Sequence, residues 1–108
     1  MARTISRGEV YLCSFSAPDT QRPVLVLTRS SVIGHLSTVT VAPITSTIRG
    51  VPSEVALDSH DGMKGPCAAN LHNAVTIRQD RLVRRVASLS AARMQEVCLS
   101  LRFSLGCE

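Results

Sequence analysis

Arg22-Pro23-Val24-Leu25-Val26-Leu27-Thr28 contains, from Pro23 to Thr28, a nearly continuous apolar run bounded by turn formers. Unbroken apolar character over so few residues is the signature of a strand covered on both faces. Pro23 has no N–H to give to a ladder, so it fits only as the first residue of that strand. Upstream, Glu9 to Phe15 alternates Val10 and Leu12 with Tyr11, Cys13 and Phe15, which predicts a strand. Ser16 to Arg22 is rich in turn formers and reads as the connecting loop. Downstream, Ser37 to Ala42 alternates Thr and Val as a third strand until Pro43 interrupts the ladder. Arg49-Gly50 then reads as the tip of a hairpin returning through Val51 to Leu57. Asp58 to Pro66, with two Gly and one Pro, must be a surface loop. Cys67 to Ile77 is a weaker strand broken near Asn73, Gln79 to Leu82 is one helical turn, and Val83 to Leu89 is a last strand.

From Ser90 the period changes. Met94, Val97, Cys98, Leu101 and Leu105 follow the spacing of an amphipathic helix, with Ser90 as its N-cap and Gly106 as its left-handed terminator. Short strands at close spacing followed by one terminal helix predict a mainly β fold, a small and strongly bent antiparallel barrel with a C-terminal α-helix. With 108 residues the chain accommodates one domain, residues 1–108. A folded body of this mass exposes about 5,800 Å² against about 16,800 Å² unfolded, enough burial for a core without disulfides.

Twelve basic residues face eight acidic ones, and Lys64 is the only lysine among them. Arginine offers a planar fork of donors that fits pairs of phosphate or carboxylate oxygens, so an anionic partner is favoured, although +4 is also an ordinary charge for a solvated surface. No apolar run reaches the roughly 20 residues a bilayer requires. Met1 to Glu9 is short and polar with no apolar segment after it, so no secretory signal and a cytoplasmic location are expected. Cys13, Cys67, Cys98 and Cys107 form no C-x-x-C pair, which argues against zinc and for thiols buried as small apolar groups. No metal and no cofactor is expected.

Three blocks come in order: Ser6-Arg7-Gly8-Glu9-Val10-Tyr11, Arg22-Pro23-Val24-Leu25-Val26-Leu27 and Val41-Ala42-Pro43-Ile44-Thr45-Ser46. With the Leu-Gly ending of the last helix, the chain from about Arg7 to Gly106 resembles the MazF/PemK family of toxin endoribonucleases. The resemblance implies an SH3-like barrel of the MazF/CcdB type, a homodimer, metal-independent cleavage of single-stranded RNA at a short sequence, and inhibition by a cognate MazE-like antitoxin. Arg22 resembles the family's catalytic arginine and Thr45 its catalytic threonine. Many relatives carry Gly-Ser-Glu-Gln in a longer first loop; here the loop is short, and Asp19 is its one acid. Asn73 aligns with a site-lining Gln of many relatives.

The chemistry of such a site is clear from its residue types. Cleaving RNA without a metal uses the 2′-OH as internal nucleophile, so the enzyme must accept that proton, stabilise a charged phosphorane and protonate the leaving 5′-oxygen. The Arg22 guanidinium can bridge two phosphate oxygens, and the Thr45 hydroxyl can donate to the phosphate or position the 2′-OH. The bland alternatives are an exposed arginine before a proline and a turn threonine bonding its own backbone. Arginine is always protonated, so Arg22 is a clamp and a poor base. Asp19, Gln21, Arg29, Ser46, Arg49 and Asn73 are the expected RNA-binding residues. Aromatics are nearly absent, so base stacking would fall to arginine planes. His35, His60 and His72 match no family catalytic position. Arg78, Arg81, Arg84 and Arg85 form either an RNA-contacting stripe or a solvated face. Two other functions remain open on the same fold, a non-catalytic gyrase inhibitor like the CcdB toxins and a general basic nucleic-acid-binding barrel.

Overall fold

In the computed structural model, residues 4–15 and 20–107 are described. Seven strands form the sheet: β1 (Glu9–Ser14), β2 (Gln21–Val26), β3 (Thr38–Thr45), β4 (Glu54–Leu57), β5 (Cys67–Asn70), β6 (Val75–Arg78) and β7 (Leu82–Ser88). Two helices accompany them, the single turn α1 (Ser30–Ile33) and the terminal α2 (Ala91–Leu105). The strand order is β4-β5-β3-β2-β1-β7, with β6 also on β3, and the pairings are antiparallel. The mainly β architecture with a C-terminal helix is thus as expected, except that the bent sheet stays open.

The apolar run is covered on both faces. Val24 and Val26 belong to one core cluster with Tyr11, Cys13, Val39, Val41 and Leu82, whereas Leu25 and Leu27 join Val10, Ala42, Ile44, Leu57 and Val97 in the other. The second cluster lies under α2, whose Met94 and Leu101 pack against it.

Two prolines shape the central strands. β2 begins at Gln21, two residues before Pro23, which corrects the expectation that Pro23 opens the strand. The Leu27 amide donates to Thr40, so alternation aims the Pro23 nitrogen at β3 too, and the β2–β3 ladder ends beside it at Val24–Pro43. On the β1 side pairing continues out to Ser14–Gln21. Pro43 does not interrupt β3, which runs to Thr45. Its nitrogen points to the other edge, where β3 changes partner from β6 (through Val41–Val75) to β5 (from Ile44–Ala69). A missing donor therefore costs nothing at either position.

The hairpin expected at Arg49-Gly50 is not formed. β4 pairs with β5, not β3, and residues 46–53 are a connection in which the Glu54 carboxylate accepts the Arg49 and Gly50 N–H groups. The break near Asn73 is a 3-10 turn at Leu71–Asn73, and the helical turn near Gln79 is a 3-10 turn at Gln79–Arg81.

Helix α2 has the expected caps. Ser90 accepts the Arg93 N–H, and Gly106, at φ +69°, ends the helix. Its buried stripe is rotated from the expected one. Met94, Val97 and Leu101 face the sheet, but Ser100 and Ser104 complete the stripe in place of Cys98 and Leu105. Ser100 donates to the Pro52 carbonyl, tying the helix to the 46–53 connection. Leu105 is 69% exposed, and Leu99 (63%) and Phe103 (50%) lie one turn apart on the outer face. No described helix is long and apolar enough to cross a membrane. Cys13 and Cys67 are buried thiols as expected; Cys98 and Cys107 are exposed, which corrects that reading for half the set.

Candidate active site

The open end of the sheet forms a cleft of about 950 Å³ where β2 and β3 part. Past Pro23 the two strands lose their ladder, yet the Val24–Pro43 register carried two residues further sets Arg22 across from Thr45. Both line the cleft, together with Gln21 and Ser46. Leu12, Pro23, Ile44 and Val86 give it apolar lining, and the segment Gly62–Pro66 forms another wall.

Thr45 does bond its own backbone, as its bland reading required. Its Oγ1 accepts the Thr47 N–H at 3.1 Å. That bond fixes the oxygen and leaves the hydroxyl proton free to donate into the cleft, so the turn role and the catalytic role are compatible. The Arg22 side chain is exposed and makes no hydrogen bond or ion pair with any described residue.

Arg84 and Arg85 reach the cleft from β7. Two β-bulges make this possible, because the β1–β7 register shifts between Val10 and Tyr11 and again between Leu12 and Cys13. Without the second shift, alternation would put Arg84 on the same face as Leu82, which is buried with Tyr11 and Cys13. With it, Leu82 pairs with Cys13 while Arg84 sits beside Leu12 and faces the cleft. Arg85 is paired at 3.0 Å with Glu9, a buried carboxylate that also accepts the Ser6 N–H and the Tyr11 hydroxyl.

The Gly62–Pro66 wall is held by a small network. Asp58 accepts the His60 N–H and Asp61 returns a bond to the Asp58 N–H, a reciprocal cap on the 3-10 turn Ser59–Asp61. The other Asp61 oxygen takes Arg93 Nε at 2.9 Å, which locks the loop to α2. Burial pushes the Asp61 carboxyl up, but hydrogen bonds from Arg93 and the Asp58 N–H, with the charges of Arg93 and His60, outweigh it and hold the group below its ordinary value. Gly62 then turns the chain at φ +90°, and a Cβ there would lie 3.2 Å from that of Ala87. Cys67, at the end of this wall, is a neutral thiol: burial pushes its pKa up, and Asp61 and Asp58 add to the shift.

Four cations, Arg22, Lys64, Arg84 and Arg85, line the cleft, and among its described lining residues no Asp, Glu or His appears. A cationic concavity with low-dielectric walls concentrates anions. Of the sequence-predicted residues, the cleft brings together Gln21, Arg22, Thr45 and Ser46. Arg29 precedes α1, Arg49 lies in the 46–53 connection and Asn73 in the 3-10 turn after β5, so none of these three lines it. Asp19 lies outside the described residues. Lys64 was hidden in a segment readable only as a surface loop, and Arg84 was one of four arginines that nothing in the spacing told apart.

The chain matches, over residues 6–105, the family described as PemK-like, MazF-like toxin of type II toxin-antitoxin system. It belongs to that family. Among its relatives is a protein of Mycobacterium tuberculosis named "Probable endoribonuclease MazF2", 38% identical over 102 residues that cover 94% of this chain and 98% of the relative. "Endoribonuclease MazF3" of the same species is 44% identical over 75 residues, 69% of this chain and 73% of that one. Among solved structures, "Mycobacterium tuberculosis toxin MazF-mt6" superposes with a TM-score of 0.83 at 34% identity, covering 91% of this chain and 96% of that one. A mycobacterial "Endoribonuclease in complex with its cognate antitoxin" gives 0.86 at 26% identity, with 96% and 97% covered.

Proposed function

We propose that the chain is the toxin of a toxin-antitoxin pair, a metal-independent endoribonuclease that cuts single-stranded RNA at a short sequence through the 2′-OH. The observation carrying the reading is the convergence of Arg22 and Thr45 on one cationic cleft in a chain whose relatives are named endoribonucleases. In this reaction the 2′-oxygen bonds to phosphorus as its proton passes to water, and the phosphorus–5′-oxygen bond breaks as that oxygen takes a proton from water, so that in net one proton moves from the 2′- to the 5′-oxygen. The products are a 2′,3′-cyclic phosphate and a 5′-OH end. Arg22 bridges two non-bridging oxygens as charge accumulates, and Thr45 donates to the same phosphate. Gln21 and Ser46 contact the adjoining nucleotide; Arg29, Arg49 and Asn73 contact flanking ones beyond the cleft, and Asp19 is a further RNA-binding residue.

A cognate antitoxin, MazE-like, is the proposed protein partner, in keeping with the solved complex of a relative. The outward pair Leu99 and Phe103 supports burial against a twin subunit in a homodimer.

With EDTA present, purified protein should cut a long single-stranded RNA at discrete sites, and 2′-deoxy substitution at a cut site should abolish cleavage there. Arg22→Gln and Thr45→Val should each lower the rate by about 10²- to 10³-fold, the cost of losing one preorganised donor, whereas Thr45→Ser should retain most of it. Full activity in both deleted variants would overturn the site. Intact RNA together with arrested DNA supercoiling would favour the gyrase-inhibitor reading instead.

A further inference from the structure

Of the four arginines of the Arg78–Arg85 segment, three are already occupied. Arg78 pairs with Asp80 at 2.8 Å, Arg81 donates to the Ser14 and Phe15 carbonyls, and Arg85 pairs with Glu9. The Arg84 side chain alone makes no hydrogen bond or ion pair with a described residue, and the β7 bulge turns it into the cleft. The Lys64 side chain, from the segment Gly62–Pro66, is likewise without a partner among the described residues, and its loop is held in place by the Asp61–Arg93 lock. An exposed cation without a counter-ion, on a backbone held by neighbouring bonds, keeps its full attraction for an incoming anion.

We propose that Arg84 and Lys64, both lining the cleft, hold the backbone phosphate next to the scissile one, so that the cleft grips two consecutive phosphates and Arg22 is left for the reacting one. This rests on the ribonuclease reading above and assigns two binding residues to the same site. They supply uniform binding, present in ground and transition states alike, and so set KM and not kcat.

The test uses the full chain and an RNA of mapped cut site carrying one 2′-deoxy nucleotide at the cut, so that it binds without being cleaved. Fluorescence anisotropy over a salt series gives the slope of log K against log salt. Each lost phosphate contact on a single strand reduces that slope by about 0.7. The double variant Arg84→Gln with Lys64→Gln should show that reduction and each single variant a part of it; Arg84→Lys, keeping the charge, should not, and neither should Arg102→Gln on α2, outside the cleft. On cleavable RNA the two deletions should raise KM about tenfold with kcat nearly unchanged. Wild-type slopes and KM in both single variants and in the double variant, while Arg22→Gln still slows cutting as expected, would overturn this assignment alone. A wild-type protein that neither binds nor cuts RNA would overturn the ribonuclease reading and this inference with it.

Discussion

Replacing Asp61 by Asn tests whether the wall of the cleft is held as described. The Asp61 side chain is 8% exposed and Arg93 28%, so the pair is only partly screened by water. Asn keeps one oxygen acceptor but presents an amide where the second carboxylate oxygen stood. It can therefore satisfy the Asp58 N–H or Arg93 Nε, not both, and it carries no charge for either. Hydrogen bonds to charged groups contribute about 1.5–3 kcal/mol. With Arg93 partly solvated and still able to reach Glu96 at 3.1 Å, the lower part of that range applies, about 2 kcal/mol at neutral pH. For a domain near 100 residues this lowers Tm by about 8–12 °C.

The pH dependence fixes the mechanism. Because the folded carboxyl is held below its ordinary value of 3.8, its contribution is complete above that value and is lost as pH falls through the lower folded value. Thermal or urea unfolding by circular dichroism should show the full wild-type advantage at pH 7 and a gap that closes as the pH drops below about 4. A gap under about 0.5 kcal/mol at pH 7, or one that stays constant down to pH 2, would refute the reasoning.

Gly62→Ala should cost about 1–2 kcal/mol for the left-handed backbone, plus a small shift of Ala87, and should lower RNA cleavage more than Gly34→Ala, where no atom lies within 4 Å of the added methyl. Val97→Ala should destabilise by about 2 kcal/mol, since Val97 is fully buried, and chemical denaturation measures it. Leu99→Ser with Phe103→Ser should leave the subunit fold intact within about 0.5 kcal/mol and convert the proposed dimer to monomer in light scattering; an unchanged mass would place the twin interface elsewhere.

The elements that depend on neighbours in the chain were legible from residue order. Val24 to Leu27 could be read as a doubly covered strand because nothing but burial on both faces rewards four consecutive apolar side chains. Ser90 and Gly106 announced the ends of α2 because capping needs a particular side chain or a particular φ at one position. The helix face was less legible. Serines 100 and 104 are small enough to sit against the sheet once Ser100 finds the Pro52 carbonyl, and that partner is 48 residues away. The supposed hairpin at Arg49-Gly50 failed for a similar reason: β3 spends its far edge on β5 and β6, leaving no edge for β4.

For the site, Arg22 and Thr45 were picked out by the resemblance of two short blocks to a known family, Arg22 just before Pro23 and Thr45 two residues after Pro43, and such blocks are visible in the text of the chain. Which cations join them was not visible. A strand of strict alternation would send Arg84 to the face of Leu82, and only the extra residue of a bulge, dictated by how β7 wraps around β1, sends it to the cleft. Lys64 arrives because Asp61 finds Arg93 across 32 residues. Local order thus sets the strands and the caps, where energies act between near neighbours in the chain. The remaining charges of the cleft are placed by contacts between distant segments, and those exist only once the sheet has bent and the helix has docked.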